Sequence, residues 1–350
     1  VGAIIGFIFG DLTQSSKWIG DLFVRFIRML IVPLIFTSLV AGVVSMGDPK
    51  RLGSIGIKTI VLYLLTTFFA IIIGLTLGTI FNPGAGIDLS GVIPFETASS
   101  SMSVSDRLFG IVPTNPISSL AEGEVLPIIF FSILLGVGII LGGEKTKSLG
   151  NVFSSAAEAV LKIAHLVMQL APYGVLSLIA WVSGTMGLAA LQNLFVLTVI
   201  LYAGCLFHMI FVYGGLIRLV ARLPLGNFFK GIIDAQAVAY STSSSSATLP
   251  VTLQCVQENL GVKKTVASSV LPLGATINMD GTALYLGIVA LFSAQIFGVE
   301  LSFADYFLIA MTATLTSIGT AGIPSASLFL LATVLSVIGI TDAQTALIVG

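Results

Sequence analysis

Runs of apolar residues long enough to cross a lipid bilayer most constrain what this chain can fold into. A membrane-spanning helix needs about 20 predominantly apolar residues, and such runs occupy residues 19–44, 55–81, 126–141 (short alone), 152–182 and 191–220. Only 9% of the residues are charged, against about 25% in soluble domains, whose surfaces face water. The sequence therefore predicts an all-α polytopic membrane protein in contact with the lipid bilayer.

The loops between the apolar runs alternate in charge. Basic residues cluster at 50–58, 145–147 and 218–230, whereas residues 82–125 contain five acidic residues and Arg107 as their only basic residue. Because basic loops face the cytoplasm, residues 82–125 are predicted to be extracellular, in a multi-pass protein of the plasma (inner) membrane. The net charge of −1 argues against a nucleic-acid partner, which usually requires a basic face.

The last third of the chain contains two interrupted apolar segments. Residues 228–256 carry the polar sequence STSSSS at 241–246, and residues 305–338 carry TSIGTAGIPS at 316–325. Each segment reads as two half-helices joined by a polar tip, which predicts two re-entrant hairpins. Irregular backbone at membrane depth is tolerated only within protein or beside a water-filled cavity, so the pair indicates a transport site near the bilayer midplane.

Asp280 is an acidic residue in a long apolar stretch. A charge at the bilayer centre costs roughly 2.5–3.5 kcal/mol on insertion scales, so this carboxylate requires a cation or a basic partner. Lys and Arg are absent from its neighbourhood in the sequence, which favours a bound cation; a structural acid paired with a distant arginine is the alternative. Asn278, Met279 and Gly281 are expected to unwind the helix and expose carbonyl oxygens, the ligands of hard cations.

Other polar residues have an ordinary structural reading as well as a functional one. The serine run 241–246 could be a flexible linker, but its apolar flanks favour a binding tip of hydroxyls and backbone N–H groups. Taken alone, Tyr63, Thr66 and Thr67 are more often packed or bonded to their own helix than ligands. His208 lacks metal-site spacing, and we expect it to be packed or satisfied locally.

Two other classes of protein, ion channels and enzymes, fit the sequence less well. An ion channel also uses re-entrant segments, but two unlike hairpins around one buried acid fit an occluded site better. The sequence does not indicate an enzyme. An intramembrane serine protease would need a Ser–His pair, and His208 is the only intramembrane histidine that could serve in one; no other feature of the sequence supports that role.

Five motifs, in order along the whole chain, resemble those of the excitatory amino-acid transporter family, the dicarboxylate/amino-acid:cation symporters. They are NPGAG at 82–86, IVPTNP at 111–116, TSSSSATLP at 242–250, NMDGT at 278–282 and GTAGIP at 319–324. The resemblance implies eight transmembrane spans plus two re-entrant helical hairpins with inverted repeats. It also implies a homotrimer whose mobile part crosses the membrane like an elevator.

The resemblance divides the chain into seven parts. They are the first spans, mainly scaffold but with the third contributing to the transport part (1–81), the extracellular connection (82–125), spans four to six (126–223), hairpin 1 (228–259), the seventh span with NMDGT (262–298), hairpin 2 as a gate (305–340), and the start of the eighth span (341–350). The chain begins and ends within apolar runs, so we expect both ends to be truncated and most of the eighth span to be missing.

The resemblance also implies the binding residues. One sodium ion would bind Tyr63, Thr66, Thr67, Asn278 and Asp280; a second would bind the carbonyl groups of Gly274 and Asn278; and a third would bind Thr276, Met279, Ser317, Ile318 and Thr320. The amino-acid substrate would contact Ser243, Ser244, Ser245, Met279, Thr282, Gly322, Ile323 and Ser327.

Departures from the family pattern bear on the substrate and the coupling ion. Ser243 stands where archaeal relatives have an arginine, so acidic and neutral substrates are not distinguished here, and the family majority favours aspartate or glutamate. Leu286 stands where animal carriers have a glutamate linked to proton coupling. We therefore predict sodium-coupled symport of an acidic amino acid, with a neutral amino-acid or dicarboxylate carrier as the alternative.

Overall fold

The structure is a computed structural model that describes residues 1–45, 49–86, 109–185, 187–317, 326–340 and 345. Within these ranges the regular secondary structure is entirely helical. The α-helices are α1 (Gly2–Phe9), α2 (Lys17–Ser45), α3 (Pro49–Phe81), α4 (Pro116–Glu122), α5 (Val125–Gly142), α6 (Lys147–Met168), α7 (Ala171–Thr185), α8 (Gly187–Phe207), α9 (Leu225–Gly231), α10 (Ile233–Thr242), α11 (Ser245–Gln254), α12 (Lys264–Ile277), α13 (Asp280–Ile296), α14 (Phe303–Ser317) and α15 (Ala326–Val337). Gly10–Ser16 and Gly143–Lys145 are 3-10 helices, and His208–Tyr213, Leu216–Val220 and Cys255–Asn259 are π-helical.

The described residues contain five helical stretches that are long and apolar enough to cross a membrane. They are Leu12–Ser45, Lys58–Phe81, Pro127–Lys145, Gln192–Val220 and Val266–Ile296. A sixth is obtained if the bent pair α6 and α7 counts as one span. The prediction of a polytopic helical membrane protein is confirmed at this level.

One predicted span differs from the structure. The apolar run 152–182 is divided between α6 and α7, which are bent by 49° relative to each other. Pro172 lies in the first turn of α7, a position that tolerates proline because the first N–H groups of a helix lack intrahelical acceptors. The same residue would interrupt a continuous helix, which explains the break.

Helices α3 and α13 approach each other closely and carry much of the core. A Cβ atom at Gly74 would lie 2.5 Å from the carbonyl oxygen of Leu284, and one at Gly78 would lie 2.9 Å from Cβ of Leu291. Small residues allow such close helix packing in membrane proteins. On α13, Leu286 is fully buried. Helices α3 and α13 therefore form one closely packed unit.

Two helical pairs occupy the regions predicted as hairpins. Helices α10 and α11 contact each other and are joined at Ser243 and Ser244. Helices α14 and α15 also contact each other. Of the predicted tip, residues 316–325, Thr316 and Ser317 belong to α14, and residues 318–325 lie outside the described residues. Helix α11 also packs against α12, which links the first pair to the first half of the seventh span.

Candidate cation and substrate site

The seventh span is broken at two residues. Helix α12 ends before Asn278 (φ −103°, ψ 72°) and Met279 (φ −100°, ψ 59°), and α13 begins at Asp280. The N–H group of Asn278 still donates to the carbonyl of Gly274 at 3.0 Å, and the N–H group of Ala283 donates to the carbonyl of Met279 at 3.0 Å. The break indicated by the Asn-Met-Asp sequence is therefore present at Asn278 and Met279, whereas Gly281, also expected to unwind the helix, is helical in α13. The break places the negative end of one helix dipole beside the positive end of another.

The Asp280 carboxylate is buried and hydrogen-bonded by three side chains from other spans. Its exposed fraction is 3%. The Thr67 hydroxyl donates to Oδ1 at 2.6 Å, the Tyr213 hydroxyl donates to Oδ2 at 2.6 Å, and Nε2 of His208 lies 3.1 Å from Oδ2. Among the described residues, His208 is the only basic side chain within 4.0 Å of this carboxylate. The alternative of a distant arginine partner finds no support in these ranges.

Asn278 connects the broken span to α3. Its side chain is best accommodated with the amide nitrogen towards Asp280, 2.8 Å from Oδ1. In this orientation three further acceptors lie near the nitrogen, which has two N–H groups to donate: Oγ1 of Thr66 at 3.0 Å, Oγ1 of Thr67 at 3.2 Å and the Tyr63 carbonyl at 3.2 Å. The Thr66 hydroxyl in turn donates to the Tyr63 carbonyl at 3.1 Å. We call Tyr63, Thr66, Thr67, Asn278 and Asp280 the ion cluster.

The ion cluster has the chemistry of a hard-cation site. It gathers a carboxylate, two hydroxyl groups, an amide and a backbone carbonyl, and hard cations prefer such oxygen ligands. Rotation of the Asn278 amide would present its oxygen where the nitrogen now lies. Thr66 and Thr67 are 4% and 1% exposed, so a cation bound here would be largely removed from water. The side chains present therefore fit a sodium ion.

Gly274, the residue predicted to serve a second sodium ion, lies directly against the ion cluster. A Cβ atom at this position would lie 2.6 Å from the Tyr63 hydroxyl oxygen. The Tyr63 hydroxyl donates to the carbonyl of Val270, one turn earlier, at 3.0 Å. Glycine at this position therefore lets the Tyr63 side chain of α3 approach the backbone of α12 closely.

The residues predicted for a third sodium ion are only partly described. The hydroxyl groups of Thr276 and Ser317 both donate to carbonyls of their own helices, at 3.1 and 2.8 Å. Ser317 is fully buried and Met279 is half-buried. Ile318 and Thr320 lie outside the described residues, so the third site stays a prediction.

The first predicted substrate-binding segment forms a compact turn, which we call the serine tip (Ser243, Ser244 and Ser245). Ser243 ends α10 in the left-handed conformation, with φ 50°. The Ser244 side chain accepts a hydrogen bond from the N–H group of Ala247 at 3.2 Å and so caps α11, as serine commonly does. Ser243 and Ser245 are exposed. A left-handed residue other than glycine is uncommon and often marks a functional turn.

The other predicted substrate residues are distributed over the seventh span and the second helical pair. Met279, Thr282 and Ser327 are half-buried. Gly322 and Ile323 lie outside the described residues. The described hydrogen bonds do not link Ser243 or Ser245 to Met279 or Thr282, so the grouping of these residues around one substrate stays a prediction.

The sequence prediction missed two residues of the site, His208 and Tyr213. His208 is packed, as expected, with 4% of its surface exposed, but its partner is not local, because its Nε2 atom contacts Asp280, 72 positions away. Both residues lie in the π-helical segment that follows α8. Helical periodicity alone could not place them together, because it assumes α-helical spacing. The sequence feature that could have identified them is the presence of two polar aromatic residues in one apolar run.

Known proteins resemble this chain over nearly all or all of its length. The proton/glutamate-aspartate symporter of Escherichia coli (strain K12) is 35% identical, with 100% of this chain and 84% of the relative covered. The proton/sodium-glutamate symport protein of Geobacillus stearothermophilus is 34% identical, with coverage of 100% and 85%. A C4-dicarboxylate transport protein of Bacillus subtilis (strain 168) is 34% identical, with coverage of 96% and 81%.

The helical membrane fold, the broken span with its buried carboxylate and these relatives together define a multi-pass, cation-coupled symporter. More specifically, the chain belongs to the sodium:dicarboxylate symporter family, whose profile matches residues 1–350. The resemblance drawn from the five motifs is therefore confirmed.

Proposed function

We propose that this protein is a secondary active transporter that couples the uptake of an acidic amino acid, aspartate or glutamate, to sodium. The observation that carries the proposal is the ion cluster, in which oxygen-bearing side chains of α3 converge on Asp280 at the break of the seventh span. A buried carboxylate beside hydroxyl and carbonyl oxygens is the ligand chemistry that sodium requires. Sodium is here a co-transported ion rather than a resident cofactor.

The acidic substrate is supported by the relatives, two of which are named for glutamate transport. The serine tip offers exposed hydroxyl groups and the start of α11, and the N-terminus of a helix favours a carboxylate. Met279, Thr282 and the segment 322–327 would complete the substrate site. Ser243, Ser244 and Ser245 would bind the substrate carboxylate.

We further propose an elevator-type alternating-access mechanism in a homotrimer. The glycine-mediated contact between α3 and α13 supports a transport unit that includes the third and seventh spans, since neither can move far without the other. Ser317 and Ser327 lie within hairpin 2, the predicted gate, on either side of residues 318–325. The trimer can be tested by the mass of the protein in nanodiscs.

The decisive experiment is uptake of labelled aspartate by the full-length protein in liposomes. An inward sodium gradient and an inward proton gradient are imposed in separate samples, because relatives are named for proton as well as sodium coupling. We expect saturable accumulation with sodium alone. Accumulation driven by protons alone would contradict the assignment of the ion cluster to sodium.

A C4-dicarboxylate is the second candidate substrate, because a relative of 34% identity is named for C4-dicarboxylate transport. Competition separates the two: excess unlabelled succinate should leave aspartate uptake unchanged if the substrate amino group is required. Uptake of serine or alanine instead of aspartate would indicate a neutral amino-acid carrier of the same fold. Failure to concentrate any solute, with a sodium-dependent current, would indicate a channel.

A further inference from the structure

The π-helical segment His208–Tyr213 presents two side chains to one oxygen atom of Asp280. The Tyr213 hydroxyl donates to Oδ2 at 2.6 Å and Nε2 of His208 lies 3.1 Å from the same atom. The two rings also contact each other edge to face, with centroids 4.8 Å apart. Because an ionised carboxylate can only accept hydrogen bonds, the contact with His208 is a hydrogen bond to the ionised carboxylate in the tautomer that carries the proton on Nε2.

The π-helical geometry is what makes this double contact available. In an α-helix, residues five apart point about 140° away from each other, since each residue turns the helix by about 100°. Hydrogen bonds of a π-helix join residues five apart and bring their side chains to the same side. Phe211 of this segment and Phe207 just before it pack against each other with ring centroids 4.3 Å apart, and both are exposed, so this part of the chain has an apolar outer side and a polar inner side.

The two oxygen atoms of the Asp280 carboxylate have different neighbours. Oδ2 is held by His208 and Tyr213, whereas Oδ1 is next to Thr67 and Asn278 of the ion cluster. Hydrogen bonds to Oδ2 restrict rotation of the carboxyl group and keep Oδ1 directed at the third span.

We propose that His208 and Tyr213, presented together by the π-helical segment, are positioning residues that hold Oδ2 of Asp280 so that Oδ1 is directed towards the cation. This inference rests on the proposed sodium coupling. It extends the cation machinery to the helical stretch Gln192–Val220, outside the five residues of the ion cluster. Neither residue is a cation ligand in this arrangement, because both act through Asp280.

The inference is tested by the sodium affinity of purified full-length protein, measured without transport. The unfolding temperature is recorded over a range of sodium concentrations, with choline chloride added to hold the ionic strength constant. A ligand that binds the folded state stabilises it by RT ln(1 + [L]/Kd), so a fit of the rise against sodium concentration gives the concentration at half occupancy, which we call the sodium midpoint. The substrate is omitted.

Tyr213→Phe removes one hydroxyl and keeps the ring. We expect the sodium midpoint to rise about tenfold, the size of the loss of one hydrogen bond to a charged group. Tyr202→Phe is the matched control, because Tyr202 is exposed on the same span, and its midpoint should equal that of the unchanged protein. A purely structural role of Tyr213 would lower the unfolding temperature equally at every sodium concentration and leave the midpoint unmoved, which would overturn the inference.

His208 provides an independent arm. His208→Leu should raise the sodium midpoint. His208→Gln should have a midpoint close to that of the unchanged protein, since the glutamine amide can place a donor near the position of Nε2. Equal midpoints for the two variants would overturn the role of His208. If the unchanged protein shows no sodium-dependent stabilisation, the proposed sodium coupling itself is contradicted and the inference falls with it. If sodium stabilises the unchanged protein but Tyr213→Phe leaves the sodium midpoint unmoved, the inference is contradicted and the proposed sodium coupling is not.

Discussion

The ion cluster and the serine tip are both polar regions of an apolar molecule, yet they are built in opposite ways. In the ion cluster, Asp280 is 3% exposed and its partner Thr67 lies 213 positions away in the sequence. In the serine tip, the Ser244 side chain caps its own helix three residues on, and Ser243 and Ser245 are exposed. One region depends on the packing of distant spans and the other on local backbone chemistry.

This difference indicates how the two regions divide the work of a symporter. A buried cluster whose side chains already contact one another loses little conformational freedom when it binds an ion. An exposed tip can meet a substrate that enters from water. Changes in the ion cluster should therefore alter sodium affinity, whereas changes in the serine tip should alter substrate affinity at saturating sodium.

The largest expected effect is that of Asp280→Asn. The change removes the only carboxylate of the ion cluster, so we expect sodium affinity to fall by about 100-fold or more, equivalent to about 2.8 kcal/mol. The measurement is the sodium midpoint of thermal stabilisation. Asp21→Asn is the control, since Asp21 is exposed and paired with Lys17 in its own helix. A sodium midpoint unchanged by Asp280→Asn would remove Asp280 from the cation site.

Next in size is the effect of Gly74→Ala on stability. Its Cβ atom would lie 2.5 Å from the carbonyl oxygen of Leu284, so α3 must shift away from α13. We expect the free energy of unfolding to fall by about 1–3 kcal/mol, as in other overpacked sites, with weaker sodium binding because Thr66 and Thr67 move with α3. Thermal unfolding in detergent measures the first effect.

Gly138→Ala is the matched control for Gly74→Ala. Gly138 lies in α5, and a Cβ atom there would have no neighbour within 4 Å. Alanine has a higher helix propensity than glycine, so this variant should be as stable as the unchanged protein. Equal stability of Gly74→Ala and Gly138→Ala would show that the two spans are less closely coupled than their packing indicates.

The sequence predicted the elements of the fold better than the contacts between them. The apolar runs gave the long helices, and the Asn-Met-Asp sequence indicated the break at Asn278 and Met279, because both follow from local composition. The bend between α6 and α7 was missed although Pro172 marks it, since its neighbours are apolar on both sides and the run read as continuous.

The ion cluster could be predicted only through family resemblance. Thr66 and Thr67, taken alone, read as ordinary helix hydroxyls, and their proximity to Asp280 depends on how α3 packs against the seventh span. His208 and Tyr213 escaped prediction for a further reason. Their shared contact with Asp280 requires a π-helical segment, and the period of an apolar run does not reveal a local change in helix type.

Thr67→Ala tests the ion cluster with a smaller change than Asp280→Asn. The hydroxyl of Thr67 donates to Oδ1 of Asp280 at 2.6 Å, and its loss should raise the sodium midpoint about tenfold, as for other hydrogen bonds to charged groups. Thr67→Ser keeps the hydroxyl and should bind sodium nearly as well as the unchanged protein. If serine and alanine behave alike, the threonine contributes by packing rather than through its oxygen.

The smallest effect is expected for Ser245→Ala in the serine tip. Ser245 is exposed, and among the described hydrogen bonds its hydroxyl has no partner, so the variant should fold normally. A hydrogen bond to the substrate carboxylate would be lost, which should raise the half-saturating aspartate concentration about three- to tenfold at saturating sodium. Ser241→Ala is the control, since the hydroxyl of Ser241 donates to the Val238 carbonyl within its own helix. A change in the sodium midpoint without a change in aspartate affinity would reverse the division of work between the two regions, because an exposed tip would then be acting on a buried ion.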